Sequence, residues 1–97
     1  MYARVATWEG GTAEGLRASA EDMKERAPSG PRPGVPAKGF TMLVDYEGGR
    51  SIAISLFETE EDLRTGDAAL NEMNPERDDV GKRVSVENYE VAVDIRV

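Results

Sequence analysis

Apolar residues alternate with polar ones in four stretches of this chain and recur at helical spacing in two others. Tyr2 to Trp8 has the alternation of a strand, and Gly10-Gly11 ends it. Thr12 is placed to cap a helix running to about Ala27. Its apolar positions, Ala13, Leu16, Ala20, Met23 and Ala27, fall on one face, and Glu14, Glu21, Asp22, Lys24, Glu25 and Arg26 lie between them. The stripe is narrow and made mostly of small residues, so Leu16 and Met23 are expected to anchor the helix against a sheet. Residues 28–37 hold Pro28, Pro31, Pro33 and Pro36, which removes backbone donors and disfavours helix, so this stretch is a connection. It reads either as a stiff linker or as a lid over a pocket.

Gly39 to Tyr46 reads as a second strand and Ser51 to Phe57 as a third, joined by the turn Glu47-Gly48-Gly49-Arg50. Thr59 then caps a second helix, with Glu60, Glu61 and Asp62 in the first turn, where carboxylates favour the positive helix end. Leu63, Leu70 and Met73 mark its buried face, and Pro75 with the polar run Glu76 to Lys82 ends it. Arg83 to Val97 has the pattern of a long last strand. Val84 and Val86 share one parity, whereas Tyr89, Val91, Val93, Ile95 and Val97 share the other, which predicts a bulge near Glu87-Asn88.

The predicted order is β-α-β-β-α-β over a single domain, residues 1–97: an α+β, ferredoxin-like arrangement. Four antiparallel strands would carry two helices on one face. Strand parity divides the third strand into a row of Ile52, Ile54 and Leu56 and a row of Ala53, Ser55 and Phe57. If the small row faces the helices, the Ile-Ile-Leu row is left as a large apolar patch, together with Val5 of the first strand. A second sheet covering that patch predicts a homodimer packed sheet to sheet through Val5, Ile52, Ile54 and Leu56.

Composition narrows the chemistry. The chain has no cysteine and no histidine, so thiolate and imidazole ligands, thiol nucleophiles and the commonest general base are excluded. A net charge of −7 with no basic run argues against nucleic acid. No signal peptide or spanning helix is expected, because the chain opens on a strand pattern; the expectation is a cytoplasmic protein with no membrane partner. Gly10-Gly11-Thr12 lacks the residues of a phosphate-binding loop and reads as a tight turn. Glu60-Glu61-Asp62 and Asp78-Asp79 read as helix-start and solvated-loop chemistry, so no metal site is expected.

The stretch Ile54-Ser55-Leu56-Phe57-Glu58-Thr59-Glu60-Glu61-Asp62-Leu63, a strand ending in an aromatic residue and running into an acidic helix start, resembles the dimeric α+β barrel superfamily in its antibiotic biosynthesis monooxygenase-like branch. Gly39-Phe40, opening the second strand, is similar to that family's Pro-Gly-Phe. The element order of the resemblance covers the whole chain and the motifs about a fifth of it. The resemblance implies a dimeric α+β barrel with a small-molecule cleft between helices and sheet. It also implies a reaction class: oxidation of an aromatic or quinol-like compound with no cofactor. The alternative is a non-catalytic ligand-binding or structural dimer. Haem-degrading members use an Asn on the first strand, a Trp ending the third and a helical His. Those positions fall near Arg4, Phe57 and Asp67, none of which matches, so the resemblance does not extend to that haem chemistry.

With the cleft placed there, Arg4, Ala6 and Trp8 of the first strand and Ser55 and Phe57 of the third would line it, with Asp67 and Asn71 reaching it from the second helix. Trp8 and Phe57 as walls and Arg4 as the cation would suit a small aromatic or anionic ligand. Alternatively, Trp8 and Phe57 are plain core, and Arg4 pairs with Glu90 or Asp94. Asn71, Asn74, Tyr46, Tyr89 and Asp67 complete the polar side chains from which an oxygenase site could be drawn.

Overall fold

The computed structural model describes residues 1–72 and 78–97. Met73, Asn74 and Pro75, to which the pattern assigns a buried position, a polar candidate and a helix stop, lie outside the described residues. Strand β1 (Tyr2–Glu9) leads through a glycine turn into helix α1 (Ala13–Arg26). Strands β2 (Gly39–Asp45) and β3 (Arg50–Phe57) follow as a hairpin, then helix α2 (Glu60–Glu72) and strand β4 (Lys82–Glu90). The sheet order is β2-β3-β1-β4, antiparallel throughout, which is the ferredoxin-like arrangement.

Both helices start as the residue types dictate. The Thr12 hydroxyl accepts from the Gly15 amide at 3.0 Å, and the Thr59 hydroxyl accepts from the Asp62 amide at 3.1 Å. The β2–β3 hairpin is closed by Asp45, whose carboxylate accepts from the Gly48 amide and from Arg50. Gly49, with φ 68°, supplies the left-handed conformation in that turn, and its carbonyl takes the Gly11 amide at 2.9 Å. The turn of the hairpin is thereby tied to the turn between β1 and α1.

Register sorts the strands into two faces. Tyr2 pairs with Phe57, Arg4 with Ser55, Ala6 with Ala53 and Trp8 with Ser51, all on the side of the helices. Phe40, Met42 and Val44 continue this row on β2. On the opposite face Val5 pairs with Ile54, Ala3 with Leu56 and Thr7 with Ile52, and Leu43 sits beside Ile52. No protein covers that face among the described residues, and Leu43 is half exposed there.

The core under the helices is uneven. Phe57 is fully buried and clusters with Leu63 of α2 and with Val35, an inward-pointing residue of the proline-rich connection. Val35 thus pins the 28–37 stretch to the core, and the Lys38 amide bonds the Leu56 carbonyl at 2.7 Å. α1 is anchored by Leu16, which is fully buried; Met23 is only half buried.

β4 departs from the sequence pattern in two ways. The register shift lies opposite Thr7 and Trp8, which pair with Ser85 and Arg83, so Val84 is the extra residue and the bulge sits three residues before Glu87. From Ser85 to Glu90 the pairing is regular, with no bulge at Glu87-Asn88: Val86 faces the helices and Tyr89 the outer face, so the parity change in the sequence marks a change in which face carries the apolar residue. The strand also ends at Glu90 instead of Val97. The Val91 amide bonds the Met1 carbonyl at 2.8 Å, the last rung available, because β1 begins there. Beyond it the alternating Val93, Ile95 and Val97 are exposed, with no neighbouring strand among the described residues.

Gly66 sets the distance between α2 and the sheet: a Cβ there would overlap the ring of Phe57, which is fully enclosed and cannot turn away. Gly66→Ala is therefore expected to destabilise the fold by about 1–3 kcal/mol despite the better helix propensity of alanine. Urea unfolding followed by circular dichroism checks this through a lowered midpoint at unchanged slope.

Candidate functional site

Small residues face small residues over the middle of the sheet. Ala6, Ser51, Ala53 and Ser55 form the floor, and α1 presents Ser19 and Met23 above it. Side chains this short do not span the gap between a helix and a sheet, and a cavity of about 210 Å³ is left between them. Trp8 and Phe40 form aromatic walls, Met42 and Leu70 add apolar surface, and Arg4 lies at one end.

Arg4 is buried, with its side chain 5% exposed. Its Nε donates to Asp67 Oδ1 at 2.7 Å and its Nη2 donates to Asn71 Oδ1 at 3.0 Å. Asp67 and Asn71 stand one helical turn apart on α2, so both reach down from the same face. A buried guanidinium is tolerable only when paired and hydrogen-bonded, and these two side chains meet that need. No buried side-chain polar atom among the described residues lacks a partner. The partner of Arg4 is therefore Asp67, in place of Glu90 or Asp94.

Of the side chains the sequence brought forward, Arg4, Ala6, Trp8 and Ser55 line the cavity. Asp67 and Asn71 stand behind Arg4 and hold it, outside the lining. Phe57 belongs to the packed core with Leu63 and Val35, also outside the lining. The two sequence readings are thus divided between residues: core for Phe57, cavity wall for Trp8. Phe40, from the Gly39-Phe40 pair, supplies the second aromatic wall. Its parity with Met42 carried that signal, but the register against Ser55 was needed to use it.

Tyr89 is removed from the site. It sits on the outer face, half exposed, and its hydroxyl donates to Glu87 at 2.6 Å. That hydrogen bond to a carboxylate raises the phenol above its ordinary pKa, so Tyr89 keeps its proton. Tyr46 stacks under the Arg17 guanidinium of α1, 4.9 Å from ring centre to Cζ, away from the cavity lining. Among the described residues no cluster of acidic side chains is arranged to hold a metal ion, and no helix is long and apolar enough to cross a membrane.

These features define a ferredoxin-like α+β protein with a small cleft between its helices and its sheet. A solved structure of the haem degrader MhuD from Mycobacterium tuberculosis, with two haems bound in its active site, has the same fold. The match has a TM-score of 0.64 and 16% identity, and covers 99% of this chain and 100% of that one. The chain thus shares the ferredoxin-like α+β fold of that protein, and the likeness concerns fold alone. No protein-family profile matches the chain, and no curated protein does.

The residues here do not suit haem. The chain has neither histidine nor cysteine to serve as an axial ligand. An enclosed cavity of about 150 Å³ holds one benzene ring, so a cleft of about 210 Å³ has room for a single substituted ring.

Asp67→Ala strands the Arg4 guanidinium without its counter-charge. The expected loss is about 1–3 kcal/mol, since Asp67 is partly open to water. The Arg4→Met/Asp67→Leu double variant removes both charges and is expected to recover most of that stability, measured by the same denaturant titration for all three proteins.

Proposed function

We propose that this protein is a homodimer that binds a small aromatic molecule in the cavity between its helices and its sheet, working in the cytoplasm as a single-domain protein. The observation that carries the reading is the cavity itself: Trp8 and Phe40 as walls, a floor of alanine and serine, and a buried, fixed guanidinium at one end. Its volume suits a single-ring compound.

A second reading follows from the way Arg4 is held. A guanidinium already oriented by Asp67 and Asn71 stabilises an anion at low reorganisation cost. A bound quinol that loses a phenolic proton could then react with dioxygen without a cofactor. A quinol and dioxygen give a hydroxyquinone and water, with the quinol supplying all the electrons. Among the described residues the cavity lining contains one carboxylate, Asp22, and no other side chain that could act as a base near neutral pH. Binding is therefore the reading the geometry supports more fully, and oxidation is its extension.

The homodimer is supported by the uncovered apolar face, where Val5, Ile52, Ile54 and Leu56 lie together with Leu43. A contiguous apolar sheet face is costly to leave in water. The exposed alternation of Val93, Ile95 and Val97 adds a second segment with strand character and no strand partner among the described residues.

Trp8 is the chain's single tryptophan, so its emission reports on the cavity directly. Single-ring aromatic compounds are expected to quench or shift that emission saturably, and Trp8→Leu is expected to weaken binding measured by calorimetry. If no compound of this class binds, the reading is wrong. Oxygen-electrode assays with quinols then separate binding alone from turnover. Placing a charge at the centre of the outer face, as Ile54→Glu, is expected to convert the dimer to monomer in sedimentation velocity at micromolar concentration. A wild-type protein that sediments as a monomer would sink the dimer.

A further inference from the structure

We infer that the segment from Val91 to Val97 crosses to a second copy of the chain, pairs as a strand with the edge of β2 there, and closes that copy's cavity beside Phe40. The inference rests on the homodimer and on the cavity as a ligand site. Two parts of the chain lack a strand neighbour among the described residues. The sheet order β2-β3-β1-β4 gives β2 a neighbour on one side only, so its other side is a row of backbone donors and acceptors. Residues 91–97 follow β4 with strand alternation over seven positions, as many as β2 has. After the Val91 amide, which bonds the Met1 carbonyl, no strand lies beside them.

Strand parity fits the segment to that edge. The β1–β4 ladder is regular from Ser85 to Glu90 and puts Tyr89 on the outer face. Continued at period two, Val91, Val93, Ile95 and Val97 fall on the outer face, and Ala92, Asp94 and Arg96 on the other. Arg96 and Asp94 pair at 3.7 Å, as two side chains on one side of an extended segment can. In a dimer packed outer face to outer face, the apolar row is directed into the interface. The β2 residue on that side is Leu43, which is half exposed. The polar row is directed to the helix side of the other copy's sheet, where β2 presents Phe40 and Met42. The opposite parity would put Asp94 and Arg96 between the sheets, where burying charge is costly.

Phe40 links this pairing to the cavity. It lines the cavity and yet is half exposed, standing on the edge strand. An aromatic wall open to water on one flank encloses a ring incompletely. A strand added at this edge covers that flank and brings Asp94 and Arg96 of the other copy to the cavity mouth. Two-fold symmetry makes the exchange reciprocal, so each copy completes the site of the other. Main-chain hydrogen bonds supply most of the attraction in such strand addition.

The chain has no cysteine, so introduced cysteines report contacts without background. Leu43→Cys is combined with Val93→Cys in one protein and with Ile95→Cys in another. After mild oxidation at least one of the two is expected to run as a covalent dimer on a non-reducing gel. In the unmodified protein, hydrogen exchange followed by NMR is expected to show protection of the β2 amides that point away from β3. Ile95→Pro removes a backbone donor from the exposed segment. With folding checked by circular dichroism, it is expected to abolish that protection and to raise the dimer dissociation constant about tenfold in sedimentation. Phenol, read by Trp8 emission, is expected to bind about tenfold more weakly to this variant. The Val93→Thr/Ile95→Thr variant keeps every backbone donor, and is expected to weaken the dimer in the same direction by removing apolar contact alone. Covalent dimers from neither cysteine pair, fast exchange of those β2 amides in the unmodified protein, or phenol affinity unchanged by Ile95→Pro each overturn the inference, and leave a dimer joined through its sheet faces. A wild-type protein that sediments as a monomer overturns the homodimer itself, and failure of phenol to bind the wild type overturns the reading of the cavity.

Discussion

The ion pair between Arg4 and Asp67 is the interaction on which the rest of the site depends. It joins the middle of the sheet to α2 through a guanidinium that is almost entirely withdrawn from water. Once Arg4 is buried, α2 must present an acid and a second acceptor at helical spacing, and Asp67 and Asn71 do so. The same pair excludes other occupants from that end of the cleft. Such a charge pair is a poor source of net stability, because desolvation cancels much of its attraction. Its more defensible role is positional: it fixes a cation at the edge of a cavity.

The cavity itself is a consequence of side-chain size. On β1 and β3 the helix-facing row narrows to Ala6, Ser51, Ala53 and Ser55 between the large Trp8 and Phe57. Where Phe57 stands, α2 comes close enough to need glycine at position 66, and the packing is complete. Where the small residues stand, α1 presents Ser19 and Met23 above them, and the gap remains. The sheet thus has a filled end and an open one, and the Gly11–Gly49 contact holds the turns that frame the open one.

Much of the architecture was legible along the chain because local signals agreed. The alternation of β1 and β3, the Thr12 and Thr59 caps, the glycine turn before Arg50 and the acidic start of α2 each point to one conformation. The split of β3 into an Ile52-Ile54-Leu56 row and an Ala53-Ser55-Phe57 row also follows from period two alone. β4 was the exception in its limits. Its apolar alternation continues to Val97, but a strand needs a neighbour, and β1 supplies none past Met1. The parity change at Glu87-Asn88 falls in a regular stretch of ladder, where the apolar residues pass from the helix face to the outer face, whereas the bulge itself lies at Val84, where parity does not mark it.

At the candidate site, residue types suggested Arg4, Trp8 and Phe57 as companions, and only the packing could separate them. Trp8 borders the cavity because Ser51 is its neighbour; Phe57 does not because Leu63, Val35 and Gly66 close over it. That Arg26, Arg32 and Arg83 border one cavity was invisible along the chain, since these residues are far apart in sequence. By itself the sequence determined the order of elements, the two faces of the sheet and the exclusion of thiol and imidazole chemistry, because these depend on local periodicity and on residue type. The tertiary structure alone decided which acid pairs with Arg4 and where the core is left open, because these depend on contacts between residues far apart in the chain, more than sixty positions for Arg4 with Asp67 and Asn71.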